Sequence, residues 1–213
     1  MGLAHFLKGE TMVTTGFSKP IIAMYSNEGQ VVTYTSPKAL GRGVSVELEI
    51  DTADDNNFYA DNVLAETETS SFTSGSATIT VDGLDNAAAT AILGLPSPTA
   101  LTVQSPDTTV QMQGYGQAMD PPFVGFGCVR RTMMRGVTQY WPFILPKVKF
   151  GIPSENMATQ ENQIDWQTQE LTATVMRDDT AAANWKVISA EGMATEAAAV
   201  QAINAFFGQV AGG

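Results

Sequence analysis

Val44-Ser45-Val46-Glu47-Leu48-Glu49-Ile50 sets Val44, Val46, Leu48 and Ile50 on one parity and Ser45, Glu47 and Glu49 on the other. Side chains of an extended chain point alternately to opposite faces, so this stretch predicts a strand with one apolar and one wet face. Ala77, Ile79 and Val81 repeat the pattern against Thr78 and Thr80. Upstream, Pro20 to Ser26 and Val31 to Thr35 flank Asn27-Glu28-Gly29, which reads as a hairpin because Asn and Gly tolerate the positive φ of a tight turn. Downstream, Phe123 to Arg131, Gly136 to Phe150, Gln163 to Arg177 and Trp185 to Ala190 read as further strands. Within Gln163 to Arg177 the apolar parity switches between Ile164/Trp166 and Leu171/Ala173/Val175, as a bulge or a strand serving two packing environments would require.

Two short helices interrupt the strands. Leu84, Ala87, Ala88, Ala91 and Ile92 recur at helical spacing, with Asp82 placed to cap, Asp85 in the first turn and Gly94 at the exit. A second helix spans Glu196 to Phe207, capped by Thr195 and ended by Gly208, with Val200, Ile203 and Phe207 as its core-facing stripe. Many strands with two helices predict a mainly β fold, a sandwich or barrel with short helices on its flank. The expected organisation is an N-terminal arm over 1–16 and one domain over 17–213. That domain carries a long inter-strand arm at 51–76, an irregular Pro-rich excursion at 95–122 with a short strand at Thr108 to Gln113, and the C-terminal helix at 195–208.

The chain has 213 residues and a formal net charge of −11, with 44% apolar but only 15% charged residues, so it can bury a core and is no disordered acidic tail. A shortage of Lys and Arg argues against a surface that grips nucleic acid or an anionic membrane. One cysteine, Cys128, and one histidine, His5, leave no internal disulfide and no Cys/His zinc cluster. The N-terminus lacks a signal-peptide pattern, and no stretch approaches the ~20 apolar residues of a membrane helix, so folding in a cytoplasm is expected. Residues 1–120 hold 4 basic and 14 acidic side chains and residues 121–213 hold 7 and 8, so nearly all the acidity lies in the first part. Asp51 to Ser76 contains Asp51, Asp54, Asp55, Asp61, Glu66 and Glu68 and no Lys or Arg. Its aromatics Phe58, Tyr59 and Phe72 favour a hairpin arm that orders on a partner; a mobile solvated loop is the alternative.

Chemistry is sparse. Gly114-Tyr115-Gly116 and Gly125-Phe126-Gly127 complete no phosphate-binding motif, and Gly125 and Gly127 read instead as positions where a side chain would block packing. Asp54-Asp55 and Asp178-Asp179 lack calcium-loop spacing and read as solvated turn carboxylates. Cys128, alternating with Val124 and Phe126, reads as a small buried apolar residue. Arg130, Arg131 and Arg135 form the only basic cluster, at a sheet tip, either pairing with an acidic patch of another copy or solvated. Trp141 and Phe143 face one way and Tyr140 and Ile144 the other, which means a strand covered on both faces or one entering a subunit contact through Trp141. No cofactor or metal is expected, and the chain reads as a non-enzyme.

The ordered pieces Gly16-Phe17-Ser18-Lys19-Pro20, Val32-Thr33-Tyr34-Thr35, Gly41-Arg42-Gly43-Val44, Phe58-Tyr59-Ala60-Asp61-Asn62, Ile92-Leu93-Gly94, Val124-Gly125-Phe126-Gly127, Tyr140 to Phe150 and Gln163 to Thr168 cover nearly the whole chain. Together they resemble the major tail proteins of long-tailed bacteriophages, of the phi13 type; the 95–122 region matches least. The resemblance implies a β-sandwich of tail-tube type whose copies close into hexameric rings, stacked into a tube through which genomic DNA passes into the host without specific binding. It implies tape-measure, baseplate and tail-terminator proteins as further partners, no membrane, and a place in the virion tail after assembly in the host cytoplasm. On that basis Asp54, Asp55, Phe58, Tyr59, Asp61, Glu66, Glu68 and Phe72 are assigned to an inter-ring arm. Glu47 and Glu49 are assigned to the channel lining, and Arg130, Arg131, Arg135 and Trp141 to subunit contacts. The alternatives are a tube subunit of a phage-like injection device, or a carbohydrate- or receptor-binding sandwich using Trp141, Trp166 and Trp185.

Overall fold

A computed structural model describes residues 13–54, 56–60, 63–68, 71–104, 107–154 and 168–208. The strands are β1 (Val13–Glu28), β2 (Val31–Ala39), β3 (Gly43–Thr52), β4 (Asn56–Ala60), β5 (Val63–Glu68), β6 (Phe72–Val81), β7 (Thr99–Gln104), β8 (Asp107–Met112), β9 (Phe123–Met134), β10 (Val137–Phe150), β11 (Gln169–Met176) and β12 (Val187–Ile188). The helices are α1 (Asn86–Leu93) and α2 (Glu196–Phe207). One antiparallel sheet runs β2-β1-β9-β10-β11-β6-β3 with β12 added to β10, while β4–β5 and β7–β8 form separate two-stranded sheets. The fold is therefore mainly β with short flanking helices, in keeping with a sandwich.

The sheet bends so that one face closes on itself. Ile22, Phe126, Leu145 and Phe150 from β1, β9 and β10 pack against Ile79, Val81, Leu171 and Val175 from β6 and β11, joined by Ile92 and Leu93 of α1. Val46 and Leu48 lie against this core, while Ser45, Glu47 and Glu49 point outward, as their alternation predicts; Val44, placed on the apolar face by the same alternation, is exposed instead, beside the register shift between Gly43 and Ser45. The opposite face of the β1–β2–β9–β10 half carries Ala23, Tyr25, Val32, Tyr34, Val129 and Ile144, covered by Ala199, Ile203 and Phe207 of α2. Most apolar residues on both faces of β10 are thus accounted for within the chain: Phe143 and Leu145 enter one core and Ile144 and Tyr140 the other, while Trp141 joins neither.

α2 lies close to the sheet because β9 is flat there. A Cβ on Gly125 would stand 2.6 Å from Phe207 Cε1 and 2.7 Å from Tyr34 Cε1, and one on Gly127 would stand 2.6 Å from Ile203 Cγ2. Both glycines therefore block-proof the helix seat, in agreement with their sequence reading. The N-terminal end of α2 coincides with expectation, since the Thr195 hydroxyl accepts from the Ala198 N–H at 3.2 Å.

Several boundaries move. Val13–Gly16 belong to β1 and pair with β9, although the sequence suggested an arm there. β3 and β6 pair as far as Thr52 opposite Phe72, so the connection expected over 51–76 is shorter and holds the β4–β5 hairpin. Two strands, not one, occupy the 95–122 excursion. Asp82 does not cap α1; it accepts from the Arg42 N–H at 2.8 Å and from Arg42 Nε, pinning the β2–β3 link, and Asp85 takes the N-cap position without a side-chain bond. The buried stripe of α1 is Ala88, Ala89, Ile92 and Leu93, leaving Ala87 exposed. The expected strand at 185–190 shrinks to β12, because Trp185 turns to stack on Phe72 and Ser189 makes a tight turn with Glu191. Ile164 and Trp166 lie outside the described residues.

Candidate functional site

The arm rises from the end of the β3–β6 ladder. Ala53 N–H donates to Ser71 O at 2.9 Å and Ser74 Oγ to Asp51 Oδ2 at 2.9 Å, which closes its root. Beyond, Asn56 pairs with Glu68 and Ala60 with Val63, with a register shift between Phe58 and Tyr59. Phe58 and Tyr59 lie on β4 and Glu66 and Glu68 on β5; Asp54 is exposed just ahead of them. Asp55 and Asp61 lie outside the described residues. Phe72 belongs to the root: its ring stacks on Trp185, centroids 5.0 Å apart and planes 3° apart. Arg177 stands 5.8 Å from the Phe72 ring, Lys186 4.5 Å from the Trp185 ring, and Arg177 Nη2 donates to Phe72 O at 2.8 Å. Two cations flanking two stacked rings fix the direction in which the arm leaves the body.

Glu47 and Glu49 are exposed on β3, a terminal strand of the sheet. The register sets Glu47 beside Thr78, Glu49 beside Ser76 and Asp51 beside Ser74, and continues through Thr172 opposite Thr78 and Thr174 opposite Ser76 on β11. This face of three strands is an unbroken field of hydroxyls and carboxylates. The sequence pattern of each strand foretells it; only the register shows that the three coincide.

The arginines do not form one cluster, because strand alternation divides them. Arg130 faces the same side as Trp141, with its guanidinium carbon 5.9 Å from that ring and its Nε buried without a hydrogen-bond partner among the described residues. Arg131 is exposed on the other side, paired with Gly16 and Tyr140. Arg135 occupies the β9–β10 turn with Gly136, at φ of 50° and 78°, the pair of positive values that matches a right-twisted hairpin. Trp141 is half-buried and its Nε1–H donates to Thr132 Oγ1 at 2.9 Å.

Asp178 and Asp179 are not the solvated turn carboxylates their sequence suggested. Asp178 is buried and accepts from Thr180 Oγ1 at 2.7 Å and Asn184 N–H at 3.0 Å, organising the loop after β11. Asp179 accepts from Lys147 Nζ at 2.7 Å and Tyr25 O–H at 2.6 Å. Burial alone would raise the Asp179 carboxyl, but these hydrogen bonds and the Lys147 charge hold it below the usual range. Burial, then the hydrogen bond to Asp179, pushes the Tyr25 hydroxyl up. Cys128 sits in the core, where burial drives its thiol far up. The network joins positions 25, 147 and 179, which lie far apart in the sequence, and no local motif announces it.

Among the described residues no group of three or more His, Cys, Asp or Glu stands close enough to hold a metal ion, and no helix is long and apolar enough to cross a membrane. No family model matches the chain, and no curated protein matches it.

Proposed function

We propose that the protein is a ring-forming tail tube subunit of a long-tailed bacteriophage, with the resemblance of its ordered sequence pieces supplying the family. The observation that carries the reading is the hydroxyl and carboxylate face of β3, β6 and β11, which ends at a terminal strand and has the β4–β5 hairpin projecting from its end. A wall past which DNA slides must not hold it. Glu47, Glu49 and Asp51 repel phosphate within a screening length of ~8 Å, and the neutral Ser and Thr beside them offer no cation to grip it. Terminal strands β2 and β3 keep one ladder side each for a neighbour, and head-to-tail contacts whose rotation closes produce rings. The arm supplies reach toward a stacked ring.

The glycan-binding alternative is weakened by the tryptophans. Trp185 has Phe72 stacked on it and Lys186 against its ring, and Trp141 spends its N–H on Thr132. Trp185 therefore has one ring face taken by Phe72, and Trp166 lies outside the described residues. An injection-device tube shares every feature above and differs in cargo.

The purified chain is expected to give rings or tubes with a central pore in negative-stain images at rising concentration. Removal of 56–68 is expected to leave the sandwich folded and the rings formed while abolishing stacking. Persistent monomers in the presence of an assembly initiator would overturn the tube reading; tubes of normal length from the deletion variant would overturn the arm assignment.

A further inference from the structure

The loop of residues 177–186, between β11 and β12, closes on itself as a bonded ring. Asp178 N–H donates to Asn184 O at 2.9 Å, and Asn184 N–H donates to Asp178 Oδ1 at 3.0 Å. The same carboxylate oxygen accepts from Thr180 N–H at 3.3 Å and Thr180 Oγ1 at 2.7 Å, while Ala183 N–H donates to Thr180 O at 3.0 Å. Asp178 is 8% exposed, so opening the ring would leave a carboxylate largely out of water without its donors. Ala183 is held at a φ of 47°, a conformation an L side chain resists and that only a well-bonded surround imposes.

This ring is fastened to two distant parts of the fold. From within it, Asp179 holds β1 and β10: Tyr25 O–H donates to Asp179 Oδ2 at 2.6 Å, Asp179 N–H donates back to the Tyr25 oxygen at 2.9 Å, and Lys147 Nζ donates to Oδ2 at 2.7 Å. The Lys147 side chain is 14% exposed, so salt screens this pair little. From the two ends of the ring come the residues that grip the arm root. Arg177, just ahead of Asp178, donates from Nη2 to Phe72 O and lies 5.8 Å from the Phe72 ring; Trp185, just after Asn184, stacks on that ring. Phe72 stands opposite Thr52, next to the Ala53–Ser71 bond that closes the root. Among the described residues no hydrogen bond or ring contact joins Tyr25 or Lys147 to Phe72, and the two ends pack in different cores, so the ring is what connects them.

We infer that the 177–186 ring is a strap that couples the Tyr25–Lys147 site to the arm: the hold of Asp179 on those two side chains keeps Arg177 and Trp185 on Phe72, and losing that hold loosens the root from which the arm projects. Such a loop opens as one unit, because its internal bonds all converge on Asp178. The strap lies within a single chain; only its consequence, that a loosened root weakens the reach toward a stacked ring, rests on the tube reading above.

Hydrogen exchange of the full chain, at concentrations below assembly and read by mass spectrometry over residues 50–54 and 71–76, tests it. Lys147→Met removes a charged partner of Asp179 and is expected to speed exchange at the root about tenfold; Tyr25→Phe removes one hydroxyl and is expected to speed it about threefold, which keeps the test open should Lys147→Met fail to fold. Thr195→Ala weakens α2 without touching the strap and is expected to leave the root unchanged. Trp185→Leu cuts the strap at its other end and should speed root exchange by itself, and Lys147→Met added to it should change little more, since both break one connection. Root exchange unmoved in folded Lys147→Met and Tyr25→Phe proteins, a rise matched by Thr195→Ala, or effects of Lys147→Met and Trp185→Leu that multiply in full would overturn the inference. Wild-type chains that never assemble would overturn the tube reading and leave the exchange result to decide the strap.

Discussion

Replacement of Gly125 by alanine opposes two effects whose magnitudes decide the sign. Alanine in a strand loses less backbone freedom on folding than glycine, a gain of about 0.5–1 kcal/mol. Against this, the new methyl would lie 2.6 Å from Phe207 Cε1 and 2.7 Å from Tyr34 Cε1, roughly 1 Å inside ordinary contact. Neither ring can swing away: both are buried, their centroids are 5.1 Å apart, and the Tyr34 O–H donates to Pro146 O at 3.0 Å. Overpacking of this kind costs about 1–3 kcal/mol, so the net expectation is a loss of about 1–2 kcal/mol, or roughly 2–8 °C in Tm at this chain length. Gly83 is the control, because nothing lies within 4 Å of its Cβ position; Gly83→Ala should be neutral or gain up to about 1 kcal/mol. Urea titration of both variants, with the slope compared to the wild type, gives the two free energies. Pairing Gly125→Ala with Phe207→Leu should cost less than the sum of the single changes, since the shortened side chain frees the space. A Gly125→Ala protein as stable as Gly83→Ala would refute the close seating of α2 on β9.

Thr195→Ala removes the acceptor of the Ala198 N–H and should cost about 1 kcal/mol, with loss confined to α2 and visible as faster hydrogen exchange at its first turn. Asp179 has a depressed carboxyl, so its contribution to stability is present above the unfolded value of about 3.9 and is lost as pH falls through the lower folded value. Lys147→Met should therefore be less stable than the wild type at neutral pH, with the difference shrinking in acid as Asp179 protonates; a difference that stays constant with pH would contradict the Lys147–Asp179 assignment.

What the sequence disclosed follows the range of the forces involved. The alternation is local and survives in β3 from Ser45 to Ile50, though not at Val44 beside the register shift, and Thr195 with Gly208 brackets α2 because caps act within one turn. Asp82 misled because a capping carboxylate and one held by Arg42 look alike until the β2–β3 link is folded beside it. β7 leaves no sequence signature because Leu101 and Val103 are too few to separate a strand from a loop between prolines. The three arginines looked like a single patch along the chain, yet neighbours in a strand point apart, and Arg130 and Arg131 end on opposite faces. For the candidate surfaces, the polarity of Glu47 and Glu49 was legible, but their continuity with Ser76, Thr78, Thr172 and Thr174 exists only through pairing of strands distant in sequence.

The long reach of β1 to its second partner bears on how the chain is made. β2 follows β1 after a two-residue turn, but β9 begins at Phe123, 95 residues beyond the end of β1 at Glu28. At translation rates of about 5–20 residues per second, the first hairpin waits roughly 5–20 s on the ribosome with one ladder edge bare. During that interval Ile21, Ile22 and Tyr25 have neither core to enter, since β9 and α2 are still unmade. A bare edge with apolar side chains on both faces pairs readily with its like, so the nascent chain needs shielding until its second half emerges.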